Sequence, residues 1–233
     1  MSSLTHLLAS SLIRIWLATS THSWRRLPRP QDEPVVHAPG TDPDRILVIG
    51  SGAVVGYGVL SYDLSVSGQV ARQVAAATGR GVDLRVIADP DLHVRAATSA
   101  LAEVDLASYD VIVVTVGSLD ALELLPNRAW RTQMGLLLDT IAAGTSAEQR
   151  AVLLMGIPQL TELVTVPRLY RAAVARRCDA LNRESSLLAT TRPWVTYVQF
   201  APPAIDLMEN ASRDIHTVWA RIIAPSVVSA LAR

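Results

Sequence analysis

The chain has 233 residues, half of them hydrophobic and 18% charged, a balance that excludes a disordered chain and suits one well-packed domain. Its 21 basic residues equal its 21 acidic ones, so bulk charge gives no basis for binding nucleic acid. The single cysteine, Cys178, excludes an intrachain disulfide framework and a cysteine-built zinc site.

Residues 1–20 carry Leu4, Leu7, Leu8, Leu12, Ile15 and Trp16 at helical spacing, which predicts an amphipathic helix. Arg14 interrupts the apolar run, and no Lys or Arg precedes it as a signal peptide would require. The stripe is therefore expected to pack on the chain's own domain or on a second copy, in a cytoplasmic protein. The alternatives are a cleaved export signal and peripheral contact with a membrane, with Trp24, Arg25, Arg26 and Arg29 at the headgroups. Residues 21–44 are rich in Pro and Asp, carry Gly40 and read as a linker, so the domain is expected over residues 45–233.

From Arg45 strands and helices alternate. Arg45–Gly50, Val82–Ala88, Val111–Gly117, Ala151–Gly156 and Val195–Phe200 read as strands. Helical patterns follow them over Ser67–Thr78, His93–Val104, Arg128–Ala143, Arg168–Thr190 and Ser212–Leu231. Five such alternations predict a three-layer α/β/α sandwich around a five-stranded, parallel, doubly wound sheet of the flavodoxin-like kind. In such sheets ligands bind beyond the carboxyl ends of the strands, which directs attention to the residues after Ile49, Ala88, Val116, Met155 and Phe200.

Gly50, Gly52 and Gly56 follow the first strand and admit a reading as a nucleotide-binding turn, whose backbone amides would face a pyrophosphate at a helix N-terminus. The acidic residue expected about 20 positions further on has no counterpart at that distance; Asp89 and Asp91 lie about twice as far away. A second reading takes in more of the chain. Gly50, Gly56, Gly58 and Val59 fit the frame Gly-Asp-Ser-x-x-x-Gly-x-Gly-Val. Thr78-Gly79-Arg80-Gly81-Val82-Asp83 leads into the second strand, and the third runs from Tyr109 into Gly117-Ser118-Leu119-Asp120. Trp130-Arg131, Gly156-Ile157-Pro158, Pro167-Arg168-Leu169, Arg176-Arg177, Leu181-Asn182 and Trp219-Ala220 follow in order. Together these segments resemble the GDSL/SGNH hydrolases, a family of esterases and lipases, over nearly the whole domain.

The resemblance implies a nucleophilic Ser, a His base, and an oxyanion hole made by the Ser amide, a Gly amide and an Asn side chain. At the matching positions this chain has Gly52 for the nucleophile, with Ser51 in place of the Asp before it. Asp91 stands for the oxyanion glycine, which would put a carboxylate where negative charge develops; Leu119 stands for the Asn, while Asp120 is kept. The His falls on Asn210, and His216 is a candidate only for a shortened ending; otherwise it reads as a partly exposed helical residue. Ser51 reads as a turn serine bonded to its own backbone, and Asp120 as a structural group bonded to the amides of Gly50–Ala53. The resulting expectation is a degenerate, non-catalytic pseudo-hydrolase that binds a ligand or serves as a structural partner, with no cofactor and no metal. Two alternatives stand beside it: an ester hydrolase with a displaced site built from Ser51, His216 and Asp214 or Asp120, and the nucleotide-binding module on Gly50–Gly58. The sequence names no ligand.

Overall fold

The structure, a computed structural model, describes residues 16, 26–146, 151–203 and 213–232. Of the helix expected over residues 1–20 only Trp16 is described; it is half-buried against the core, and the rest lies outside the described residues. Six strands form one sheet: β1 (Val35–Ala38), β2 (Asp44–Gly50), β3 (Val82–Ala88), β4 (Val111–Thr115), β5 (Val152–Met155) and β6 (Val195–Val198), in the spatial order β1-β3-β2-β4-β5-β6. Every pairing is parallel except that of β1, which runs antiparallel to β3 with Val36 opposite Leu84. The sheet thus has one strand more than expected. β1 comes from the stretch read as linker, whose Val36 and Ala38 point inward and are buried between exposed neighbours. Four residues flanked by prolines and glycine carry too little pattern to stand out in the sequence.

The central strands explain themselves. All of Val111–Val114 is buried, as a strand covered on both faces requires. Helix α1 (Val66–Thr78) begins at Ser65, whose hydroxyl accepts from the Ser67 amide at 3.2 Å, and ends at Gly79 in the left-handed region at φ 72°. It packs against the closing helix, Arg213–Leu231, on one side of the sheet. On the other side lie α2 (Val94–Ala100), the short α3 (Ser118–Leu122), α4 (Asn127–Gly144), the single turn α5 (Leu160–Leu163) and α6 (Arg168–Thr190). The closing helix is α7. In α6, Val174, Cys178, Leu181 and Ser185 recur at helical spacing and are buried, and Ser185 accepts a hydrogen bond from the Trp130 indole at 3.1 Å. Burial pushes the Cys178 thiol up to about 11, so it is an inert packing group. The strand order reverses between β2 and β4, and the loops leaving these two strands part there.

Candidate functional site

The turn after β2 is shaped by its glycines. Gly50 has no room for a side chain, because a Cβ would run into Thr115 on the neighbouring strand. Gly52 adopts φ 68° and opens a short 3-10 turn, Gly52–Val55, which Gly56 closes at φ 76°. The first α-helix after the turn begins only at Val66, so the glycines do not run directly into a helix of their own as the strand-turn-helix of a dinucleotide-binding turn does. A strap from the N-terminal side holds the loop: the Gly58 amide donates to the Pro28 carbonyl at 2.8 Å, and the Pro30 ring lies 2.7 Å from where a Cβ of Gly56 would be.

Beyond the carboxyl ends of β2, β4 and β5 lies a cavity of about 70 Å³. Ser51, Gly52 and Tyr57 line it from the β2 loop, Thr115 and Leu119 from β4 and α3, and Met155 and Ile157 from β5 and its loop. Phe200, Trp219 and Ile223 complete the wall, with Phe200 and Trp219 edge-to-face at 6.2 Å. The lining is apolar apart from backbone and a few hydroxyls, and it includes no charged side chain and no histidine among the described residues.

The positions singled out in the sequence distribute unevenly around this cavity. Gly52 and Leu119, which the sequence resemblance aligns with a nucleophile and an oxyanion Asn, both line it. A Cβ on Gly52 would lie 3.0 Å from the Ser118 hydroxyl. Gly117, at φ 119°, turns the chain from β4 into α3; a Cβ there would meet Ile157 and Trp130 at 2.6 Å. Ser51 is 2% exposed and lines the cavity, and its hydroxyl has no partner among the described residues. This corrects the expectation of a turn serine bonded to its own backbone: the backbone is extended at Ser51 (φ −131°), and its amide, not its hydroxyl, is engaged, by the Thr115 carbonyl.

Asp91 does not overhang the cavity. It is exposed, held by its amide on the Asp89 carboxylate at 2.7 Å, and Pro90 takes the place at the cavity wall. Asp120 is buried, as a structural role demands, but its partner is the Val94 amide at 3.1 Å and not the turn at Gly50–Ala53. One turn of α3 points Asp120 away from β2 and onto the first residue of α2. Burial raises its carboxyl to about 6, against the opposing pull of His93. Nearby, His93 pairs with Glu123 at 3.2 Å, and this partner raises the imidazole above its ordinary range despite partial burial. The His93–Glu123 pair has no signal in the sequence, since nothing there brings residues 30 positions apart together.

His216 is 1% exposed, so the reading as a partly exposed residue is corrected. Its Nε2 lies 3.0 Å from the Tyr57 carbonyl, which can only accept, so Nε2 carries the proton. The ring stands edge-on to Trp219 at 5.7 Å, and burial pushes its pKa below the ordinary histidine value. Trp219 lines the cavity; His216 sits behind it and does not. Asp214 is exposed, and Asn210 lies outside the described residues.

The fold has relatives among solved structures. A psychrotrophic esterase, EstA from Pseudoalteromonas, superposes with a TM-score of 0.61 at 15% identity, over 82% of this chain and all of its own. The lipase Lip_vut3 from a goat rumen metagenome gives 0.60 at 12% identity, over 78% of this chain and 97% of its own. A lipase/acylhydrolase from Enterococcus faecalis gives 0.58 at 15%, over 80% and 96%. No protein-family model matches the sequence, and no curated protein matches it. The architecture is therefore a GDSL/SGNH-hydrolase-like fold. Among the described residues no helix is long and apolar enough to cross a membrane.

Proposed function

We propose that this chain is a non-catalytic pseudo-hydrolase that keeps the cavity of the fold and uses it to bind. The observation that carries this reading is Gly52. The nucleophile position holds no side chain, and its left-handed backbone disfavours acquiring one. Two further features agree. Leu119 supplies an apolar wall where the oxyanion donor would be, and loss of one such donor costs about 2.7–4 kcal/mol of transition-state stabilisation. No imidazole lines the cavity among the described residues, so no described base can take a proton from a hydroxyl there.

The reading is tested with a fluorophosphonate probe and short-chain nitrophenyl esters. The expected result is neither labelling nor turnover above a mock-purified control. Labelling that disappears in Ser51→Ala would overturn it and support the one competing reading with an observation behind it. That reading is a displaced ester hydrolase, favoured by the place of Ser51 among the residues that line the cavity.

A further inference from the structure

Two segments of the cavity wall are held together by a small polar cluster. The loop after β3 brings Pro90 to the cavity, and α3 brings Leu119 and Leu122. Between them the Asp120 carboxylate accepts from the Val94 amide at 3.1 Å, and His93 meets Glu123, the residue after α3. Both side chains of that pair are mostly buried, at 16% and 10% exposure.

His93 faces an acceptor on each side of its ring. Nδ1 lies 2.8 Å from the main-chain carbonyl of Asp91, which can only accept, so Nδ1 carries a proton. Nε2 lies 3.2 Å from the Glu123 carboxylate, the approach of an ion pair rather than of an aligned hydrogen bond. In a neutral ring protonated at Nδ1, Nε2 would turn a bare lone pair on a carboxylate oxygen. A second proton on the ring replaces that repulsion with attraction, and imidazole is a stronger base than a carboxylate. The charged groups that act on the ring are Glu123 and Asp120; α4, which packs against α2, adds none among the described residues. Glu123, with Asp120 behind it, holds the imidazole above its ordinary value of 6.5 despite partial burial. We infer that His93 is a pH-sensitive clamp between the β3–α2 loop and α3, closed while both ring nitrogens carry protons and loosened when the ring is neutral. Rising pH then frees the segment that carries Pro90 from the one that carries Leu119, and one side of the cavity loosens. The clamp works in the same way whether the cavity binds or reacts, so it stands apart from the non-catalytic reading.

The test uses the isotope-labelled full-length chain. NMR of the imidazole nitrogens, with His93→Gln to assign the signal, should show both ring nitrogens of His93 protonated at pH 6. Amide exchange at Val94, corrected for the intrinsic pH dependence of exchange, reads the clamp. Its protection should fall about fivefold or more between pH 6 and pH 9, above what an exposed ion pair gives. Glu123→Gln keeps an acceptor and removes the charge, so its Val94 protection should already be low at pH 6 and change little up to pH 9. Asp120 titrates in both proteins, and the difference between them isolates the pair. Val113, buried in β4, serves as the reference for global unfolding; Val94 should stay less protected than Val113 at both pH values. A neutral His93 at pH 6, the same pH dependence of Val94 in parent and Glu123→Gln, or Val94 protection equal to that of Val113 at pH 9 overturns the proposal.

Discussion

His216 donates from Nε2 to the main-chain carbonyl of Tyr57, 3.0 Å away, and so ties the closing helix to the loop that carries Gly52. The one histidine of the closing helix is thereby committed to a structural bond, in the tautomer that leaves Nδ1 facing no partner among the described residues. A base poised for catalysis needs its free nitrogen within reach of the hydroxyl it serves. Here that nitrogen sits behind Trp219, off the cavity wall.

His216→Phe should therefore act on stability and not on chemistry. It keeps ring volume against Trp219 but removes a buried donor from the Tyr57 carbonyl, a loss of about 1–3 kcal/mol. For a chain of this size each kcal/mol lowers the melting temperature by about 2–4 °C. A thermal melt at pH 7.5 checks the size of the drop. An unchanged melting temperature would mean that the bond to Tyr57 contributes nothing to holding the loop.

On the proposed non-catalytic reading, a serine introduced at position 52 should not create an esterase. Gly52→Ser places a Cβ in the left-handed region, at a cost of about 1–2 kcal/mol, and 3.0 Å from the Ser118 hydroxyl. Ser118 can rotate away, so the protein should fold with a modestly lower melting temperature. With Leu119 giving only apolar surface at the cavity and His216 held by Tyr57, ester turnover should stay at background. Measurable turnover in this single variant would show that the remaining machinery is intact.

Gly117→Ala is expected to be far more damaging. Its φ of 119° is a glycine conformation, and the added methyl would press on Ile157 and the Trp130 ring at 2.6 Å. Both neighbours are buried in the core, so neither can swing into solvent. A destabilisation of roughly 3 kcal/mol or more follows from strain and overpacking together, readable as a lower denaturation midpoint in urea.

Asp120 should leave a signature in the pH dependence of stability. Its folded-state pKa, raised by burial from 3.8 to about 6, means the folded chain holds a proton that the unfolded chain has already lost. Stability from this group is thus present below pH 3.8 and is lost as pH rises through about 6. The loss is at most about 3 kcal/mol, taking 1.36 kcal/mol per pH unit. Asp120→Asn keeps an acceptor for the Val94 amide and removes the titration. Its stability should fall less than the parent's between pH 4 and 6. His93, raised by Glu123, adds a further loss above pH 6.5 in both proteins, while His216, lowered by burial, opposes it on the acid side in both. Parallel profiles for parent and variant would contradict the assignment.

The alternation of β-branched strands with helical patterns was enough to define a doubly wound sheet, because burial on both faces imposes continuous apolar runs on β2 and β4. The sequence also placed Gly50, Gly52, Gly117 and Leu119 at the strand ends where the cavity lies, since ligand sites in such sheets follow from topology alone. Other features needed the tertiary structure. β1 depends on pairing with β3, a partner more than 40 residues away, and its four residues carry no signal of their own. The direction of a side chain at a strand end or on a single helical turn is set by local backbone angles that composition does not encode. That is why the Ser51 hydroxyl is buried without a partner among the described residues, Asp120 reaches Val94 rather than the glycine turn, and Asp91 points to solvent. The burial of His216 on Tyr57 joins residues 159 positions apart, and only the packing of α7 against the β2 loop brings them together.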